Sequence, residues 1–151
     1  MKRKFLPLAL LFCSLLAFDS AAFGQKQIEP QIQRNPILEL DAKHNLEVAN
    51  FSFKTRKAYK AVLMRFEETF AAYPEFSKMD EFLYLAGMSS FYLSENKGKQ
   101  KIVSEDEKKK FAPEKLREDA AAYLSQLIEN YPQSQYKADA QKTLESLKAK
   151  K

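Results

Sequence analysis

The sequence predicts an all-α fold, a solenoid of helical hairpins. Apolar residues recur at intervals of three and four through most of the chain, the spacing that gives a helix one apolar face. The phrase Phe66-Glu-Glu-Thr-Phe-Ala-Ala-Tyr73-Pro74 has a counterpart in Leu124-Ser-Gln-Leu-Ile-Glu-Asn-Tyr131-Pro132. In each, proline stops a helix, because it lacks an amide donor and pushes the preceding residue out of the α region. A serine within three residues, Ser77 or Ser134, then starts another helical run. Repeated hairpins of this kind stack into a solenoid. Beyond residue 24 only Gly87 and Gly98 remain as glycines, and no alternating pattern calls for a strand.

The chain opens on different chemistry. Lys2, Arg3 and Lys4 precede an apolar run over residues 5–18, and Ala22 and Gly24 are small residues placed for cleavage. These are the three parts of a secretory signal, and cleavage is expected after Gly24. The run is too short to span a bilayer, which takes about 20 residues. Cys13 is the only cysteine and lies inside this run, after Leu11 and Phe12 rather than a small residue. It reads as filler in the apolar run rather than a lipidation site. The mature chain is then free of disulfides and thiolate metal sites. Its charge is 22 basic against 19 acidic residues, or +3, after subtracting Lys2, Arg3, Lys4 and Asp19. Residues 25–40, with Pro30 and Pro36 and no period, read as a flexible leader.

The helical domain is expected over residues 41–148. A first helix starts near Asp41 as N-cap and runs to about Arg56, with Leu46, Ala49 and Phe53 facing inward. A second runs to Tyr73 on Val62, Phe66 and Phe70. A third follows Ser77, with Asp80 completing an approximate capping box. It carries the small stripe Leu83, Ala86, Gly87 and Ser90. Glycine in a helix interior costs about 1 kcal/mol relative to alanine, so Gly87 predicts a close helix crossing.

Residues 95–112 break the pattern as a long charged loop, with Gly98 and many lysines. Pro113 suits the first position of a fourth helix, which runs to Tyr131 on Ala120, Leu124, Leu127 and Ile128. A fifth helix from Ser134 to Lys148 is more polar, as the last helix of a solenoid must be. Its basic end complements the helix dipole.

Leu46, Ala49, Phe53, Ala61, Phe66 and Pro74 fall at the spacing of a tetratricopeptide repeat of about 34 residues. Leu83, Ala86, Gly87, Ala120, Leu124 and Pro132 form a second repeat whose inner turn is replaced by the long loop. The expected architecture is therefore about two repeats plus a capping helix. The run from Asn45 to Val62, the Tyr-Pro pairs and Asp80-Glu-Phe-Leu-Tyr-Leu-Ala-Gly87 resemble the repeats of the BamD family, the outer-membrane β-barrel assembly lipoproteins. Members of that family have about five repeats and an N-terminal lipid; this chain has room for two and a cap.

Catalytic chemistry finds little footing. His44 is the sole histidine, so no second histidine or cysteine completes a metal or nucleophile site. No glycine elbow or phosphate loop is present. The loop lysines attract anions, but the interleaved acids and the secretory signal argue against nucleic acid. No cofactor, metal or small-molecule substrate is expected. The resemblance implies instead a concave face built from the first helix of each repeat: His44, Glu47, Phe51, Lys54, Glu81, Tyr84, Met88 and Phe91. Aromatic and methionine residues there suit a peptide or helical segment. Phe51, Tyr84 and Phe91 read equally well as core. Ile102, Val103, Lys108, Lys109 and Lys110 form a second candidate contact on the loop, which its composition predicts to be mobile. The expected function is an exported, non-enzymatic scaffold in the periplasm, binding protein segments of envelope proteins, in outer-membrane assembly by the resemblance. An adaptor for peptidoglycan or Tol-type machinery is the second reading.

Overall fold

The computed structural model describes residues 34–149. Residues 1–24, which hold Cys13 and the expected export signal, and residues 25–33 of the expected leader lie outside the described residues. Within them the chain is all-helical with no strand: α1 (Pro36–Phe51), a π-helical turn (Ser52–Arg56), α2 (Tyr59–Ala72), α3 (Met79–Ser94), α4 (Glu105–Lys110), α5 (Pro113–Asn130) and α6 (Lys137–Lys148). α1 with α2, and α3 with α5, form the two hairpins, and α6 packs on α5 as the closing helix. None of these helices is long and apolar enough to cross a membrane.

α1 starts earlier than expected. Asn35, not Asp41, is its N-cap, and the Asn35 Oδ1 accepts from the Ile37 and Leu38 amides at 3.0 and 3.4 Å. Pro36 occupies the first turn, where a missing amide hydrogen costs nothing. Residues 36–40 are therefore helix rather than leader, and Asp41 sits exposed within it. The other end of α1 widens into the π-turn and stops where Lys57 adopts the left-handed conformation, φ 53°.

Ala42, Leu46 and Ala49 of α1 meet the core side of α2, on which Tyr59, Val62, Leu63 and Phe66 are buried. α3 is buried on nearly every side, from Met79 and Phe82 to Met88 and Leu93, as the central helix of a stack should be. Its partner α5 contributes Leu116, Ala120, Leu124 and Leu127. A Cβ built on Gly87 would lie 2.6 Å from both Cγ and Cδ2 of Leu124. The close crossing expected at Gly87 is there.

The two serines after Tyr-Pro are not the caps expected of them. α3 and α6 begin without a side-chain cap, behind Lys78 and Tyr136. Ser77 instead donates its amide to the Glu39 carboxylate at 3.3 Å, and the Ser134 hydroxyl donates to Asp80 at 2.7 Å. Glu39 and Asp80 each lie in the first turn of the preceding repeat's leading helix. The serines thus tie one repeat to the next.

Candidate functional site

α1 with the π-turn after it, and α3, carry the predicted groove residues. The structure treats them in two ways. His44, Glu47, Phe51 and Lys54 are exposed, with the Phe51 ring half open and the Arg56 guanidinium 5.0 Å from its centre. Glu81 is half-buried and accepts from Asn50 Nδ2 at 2.7 Å, joining α3 to α1. Met88 is buried and Tyr84 half-buried. The Tyr84 ring stacks on Tyr136 at 4.6 Å, and the buried Met88 sulfur accepts from the Thr143 hydroxyl at 3.5 Å. Burial, with the Asp139 carboxylate adding to it, holds the Tyr84 phenol above its ordinary pKa. Both residues are covered because α6 lies over this part of α3. Phe91 is half-buried, its ring 5.7 Å from Tyr92. Tyr92 belongs to a further cluster with Phe53 and Tyr59, at 6.0 and 5.1 Å, under the Lys97 ammonium.

The charged segment after α3 is not the featureless loop expected. Gly98, φ 117°, lets the chain pass tightly over Tyr59; a Cβ there would sit 3.0 Å from that ring. Lys99 N donates to Lys57 O at 3.0 Å and Gln100 Oε1 accepts from the Ala61 amide at 3.2 Å, docking the segment on the start of α2. The chain then forms α4, capped by Ser104, whose hydroxyl accepts from the Glu107 amide at 3.1 Å. Phe111 closes the segment as a buried side chain.

Lys60 anchors the centre of this segment. Its ammonium pairs with Glu107, donates to Lys101 O at 3.0 Å and lies over the Phe111 ring. That hydrogen bond, with the Val103 amide, holds the Glu107 carboxyl below its ordinary pKa, against the opposing effect of burial. A depressed carboxyl pKa stabilises the fold above the unfolded value and ceases to do so as pH falls through the folded one. The segment is therefore expected to loosen as pH drops below about 4. Amide exchange of residues 97–111 measures this. Glu107→Gln should exchange faster at neutral pH and lose most of the acid step; an unchanged pH profile would refute the role of the pair.

Of the predicted loop contacts, Ile102 is half-buried against the core and Lys110 pairs with Glu67 at 2.7 Å. Lys108 pairs with Glu105 at 2.6 Å, within α4. Val103 and Lys109 remain exposed. A shallow cavity of about 420 Å³ lies between Leu93, Ile102 and the run from Asn96 to Lys101. Sequence reasoning missed Lys60, the residue that holds the segment down. Its helical phase gave no signal, because Lys60 falls in line with the exposed Met64 and Glu67 rather than with the buried Val62 and Phe66. Among the described residues no three histidine, cysteine or acidic side chains converge as a metal site.

The model of a family described as YfiO, outer membrane lipoprotein, matches residues 67–150. That is more than half of the chain and takes in everything from the last turns of α2 through α6. The chain belongs to the YfiO family. Its BamD-like, tetratricopeptide-type hairpins are those anticipated from the Tyr-Pro repeats. No match was found among curated proteins or among solved structures. The YfiO match leaves out α1, the π-turn and most of α2, and with them His44, Glu47, Phe51 and Lys54.

Proposed function

We propose that this YfiO-family protein is an exported, non-enzymatic scaffold of the bacterial envelope that binds segments of other envelope proteins and serves outer-membrane protein assembly. The observation that carries the proposal is the contrast between the leading helices. α6 covers the Tyr84–Met88 part of α3, whereas α1 and the π-turn after it leave Glu47, Phe51 and Lys54 open as a mixed apolar and charged face. Such a face suits an extended or helical protein segment. Val103 and Lys109 of the docked segment offer a second contact, and the family's description as outer membrane lipoproteins supports an envelope location. Residues 1–24 act in this reading as a cleaved export signal.

In-cell photocrosslinking from Lys54 and from Val103 tests the proposal. The chain should be recovered from the envelope fraction beginning at Gln25 and crosslinked to barrel-assembly components. Tol or peptidoglycan-linked partners would favour the adaptor reading instead. A cytoplasmic chain with an intact N-terminus would overturn the proposal.

A further inference from the structure

α1 has two apolar faces. One is the core face of Ala42, Leu46 and Ala49. Opposite it, Ile37, Leu40, His44, Val48 and Phe51 fall within about 40° of one line at 100° per residue. Ile37 is 72 % exposed, Leu40 67 % and Phe51 50 %. A helix that is apolar all round belongs in an interior. Scattered single exposed apolar residues are ordinary on a surface, but a stripe along a whole helix is not.

The internal repeat says what the stripe is for. Leu46 and Ala49 match Leu83 and Ala86, so His44, Val48 and Phe51 match Glu81, Leu85 and Met88 of α3. On α3 these positions are closed: Glu81 bonds to Asn50, Leu85 is 2 % exposed and Met88 8 %. On α3 this face is enclosed by neighbouring helices, Asn50 of α1 closing Glu81 and Thr143 of α6 closing Met88, whereas Ile37, Leu40 and Phe51 of α1 stand open. The far end of the stack is finished differently. Gln141, Lys142, Glu145 and Lys148 of α6 are exposed and polar.

We infer that the stripe is a self-association surface, and that a second copy of this chain covers it with its own α1, antiparallel. The spacing is the first argument. Taking His44 as centre, apolar residues stand four positions away on both sides, Leu40 and Val48, and seven positions away on both sides, Ile37 and Phe51. The pattern reads nearly the same in both directions, so a two-fold axis at His44 sets Ile37 against Phe51 of the second copy and Leu40 against Val48. Charge is the second argument. Lys43 and Glu47 are exposed on the same flank, and the reversal brings Lys43 of each copy beside Glu47 of the other. The polar α6 end is the third. Among the described residues this far end of the stack offers the stripe no apolar counterpart, so association closes as a pair and does not propagate end to end as a filament. A single helix face is a small interface, and the dissociation constant is expected in the micromolar range. The inference shares Glu47 and Phe51 with the proposed partner face, so self-association and partner binding compete there, and it does not depend on any envelope partner.

Sedimentation of the full chain over a micromolar concentration series should show a monomer–dimer equilibrium. Leu40→Lys should weaken it by at least about tenfold while leaving the helical spectrum intact. In a Cys13→Ser background, His44→Cys should give a covalent dimer on mild oxidation and Lys142→Cys should not. That pair separates the proposed geometry from general stickiness of the apolar N-terminal run. A monomer at all concentrations, a dimer indifferent to Leu40→Lys, or equal crosslinking at both positions would overturn the inference. If the chain is monomeric yet crosslinks from Lys54 to an envelope protein, the scaffold function stands and only self-association falls.

Discussion

Phe66→Ala is expected to lower folding stability by about 3–5 kcal/mol, the range for removing a buried aromatic ring. Phe66 is 2 % exposed and sits where three helices meet. Its ring lies 5.4 Å from Phe70 of α2, 5.7 Å from Phe82 of α3 and 4.8 Å from Tyr123 of α5. The last two are edge-on, the arrangement that places positive ring edges against negative faces and adds to simple burial. A domain of this size has about 5–15 kcal/mol in total, so the variant would stand near its threshold. Phe70→Ala removes a half-buried ring from the same cluster and should cost distinctly less. Urea unfolding followed by helical signal measures both. Equal losses, or a neutral Phe66→Ala, would mean that the two hairpins do not share this core.

The hairpins were legible because the signals that define them are local. Spacing of three and four marks the buried faces, and proline ends a helix through its own geometry. Leu46, Val62, Phe66, Leu83, Leu124 and Leu127 are all core, as read. Sequence and structure part where one residue type carries two meanings. Pro113 reads as a helix start, whereas Pro36, after the better cap Asn35, reads as part of a leader. Both occupy the first turn of a helix. α4 was written in the sequence as well: Ser104 followed three residues later by Glu107 is a capping box, and three acids before three lysines suit the helix dipole. The charge density of the segment reads as solvated loop and masks that order. The fate of Tyr84 and Met88 was not legible at all. Whether a leading helix is open or covered depends on where α6 lies, and that is set by contacts such as Ser134 to Asp80, 54 residues apart. Spacing within one helix holds no information about it.

Gly87 offers the sharpest test of the stack, because two well-defined effects oppose each other there. Alanine is the better helix former, by about 1 kcal/mol, and on an exposed helix Gly87→Ala would stabilise. Here the new methyl would stand 2.6 Å from Cγ and Cδ2 of Leu124 and 3.5 Å from Ala120 O. Leu124 is fully buried and cannot swing into solvent, so relief requires α3 and α5 to move apart. Overpacking of this kind costs about 1–3 kcal/mol and should outweigh the gain in propensity. Gly87→Ala is therefore expected to destabilise, and Gly87→Leu to prevent the crossing altogether. Leu124→Ala alone should cost about 2–5 kcal/mol by leaving a cavity. Combining it with Gly87→Ala removes the atoms that clash and lets the added methyl occupy part of the cavity. The double variant should then be more stable than the sum of the single losses, with a coupling of about 0.5–3 kcal/mol. Chemical unfolding of the four proteins closes the cycle. Simple additivity, or a stabilising Gly87→Ala, would show that α3 and α5 cross at a greater distance than this packing requires.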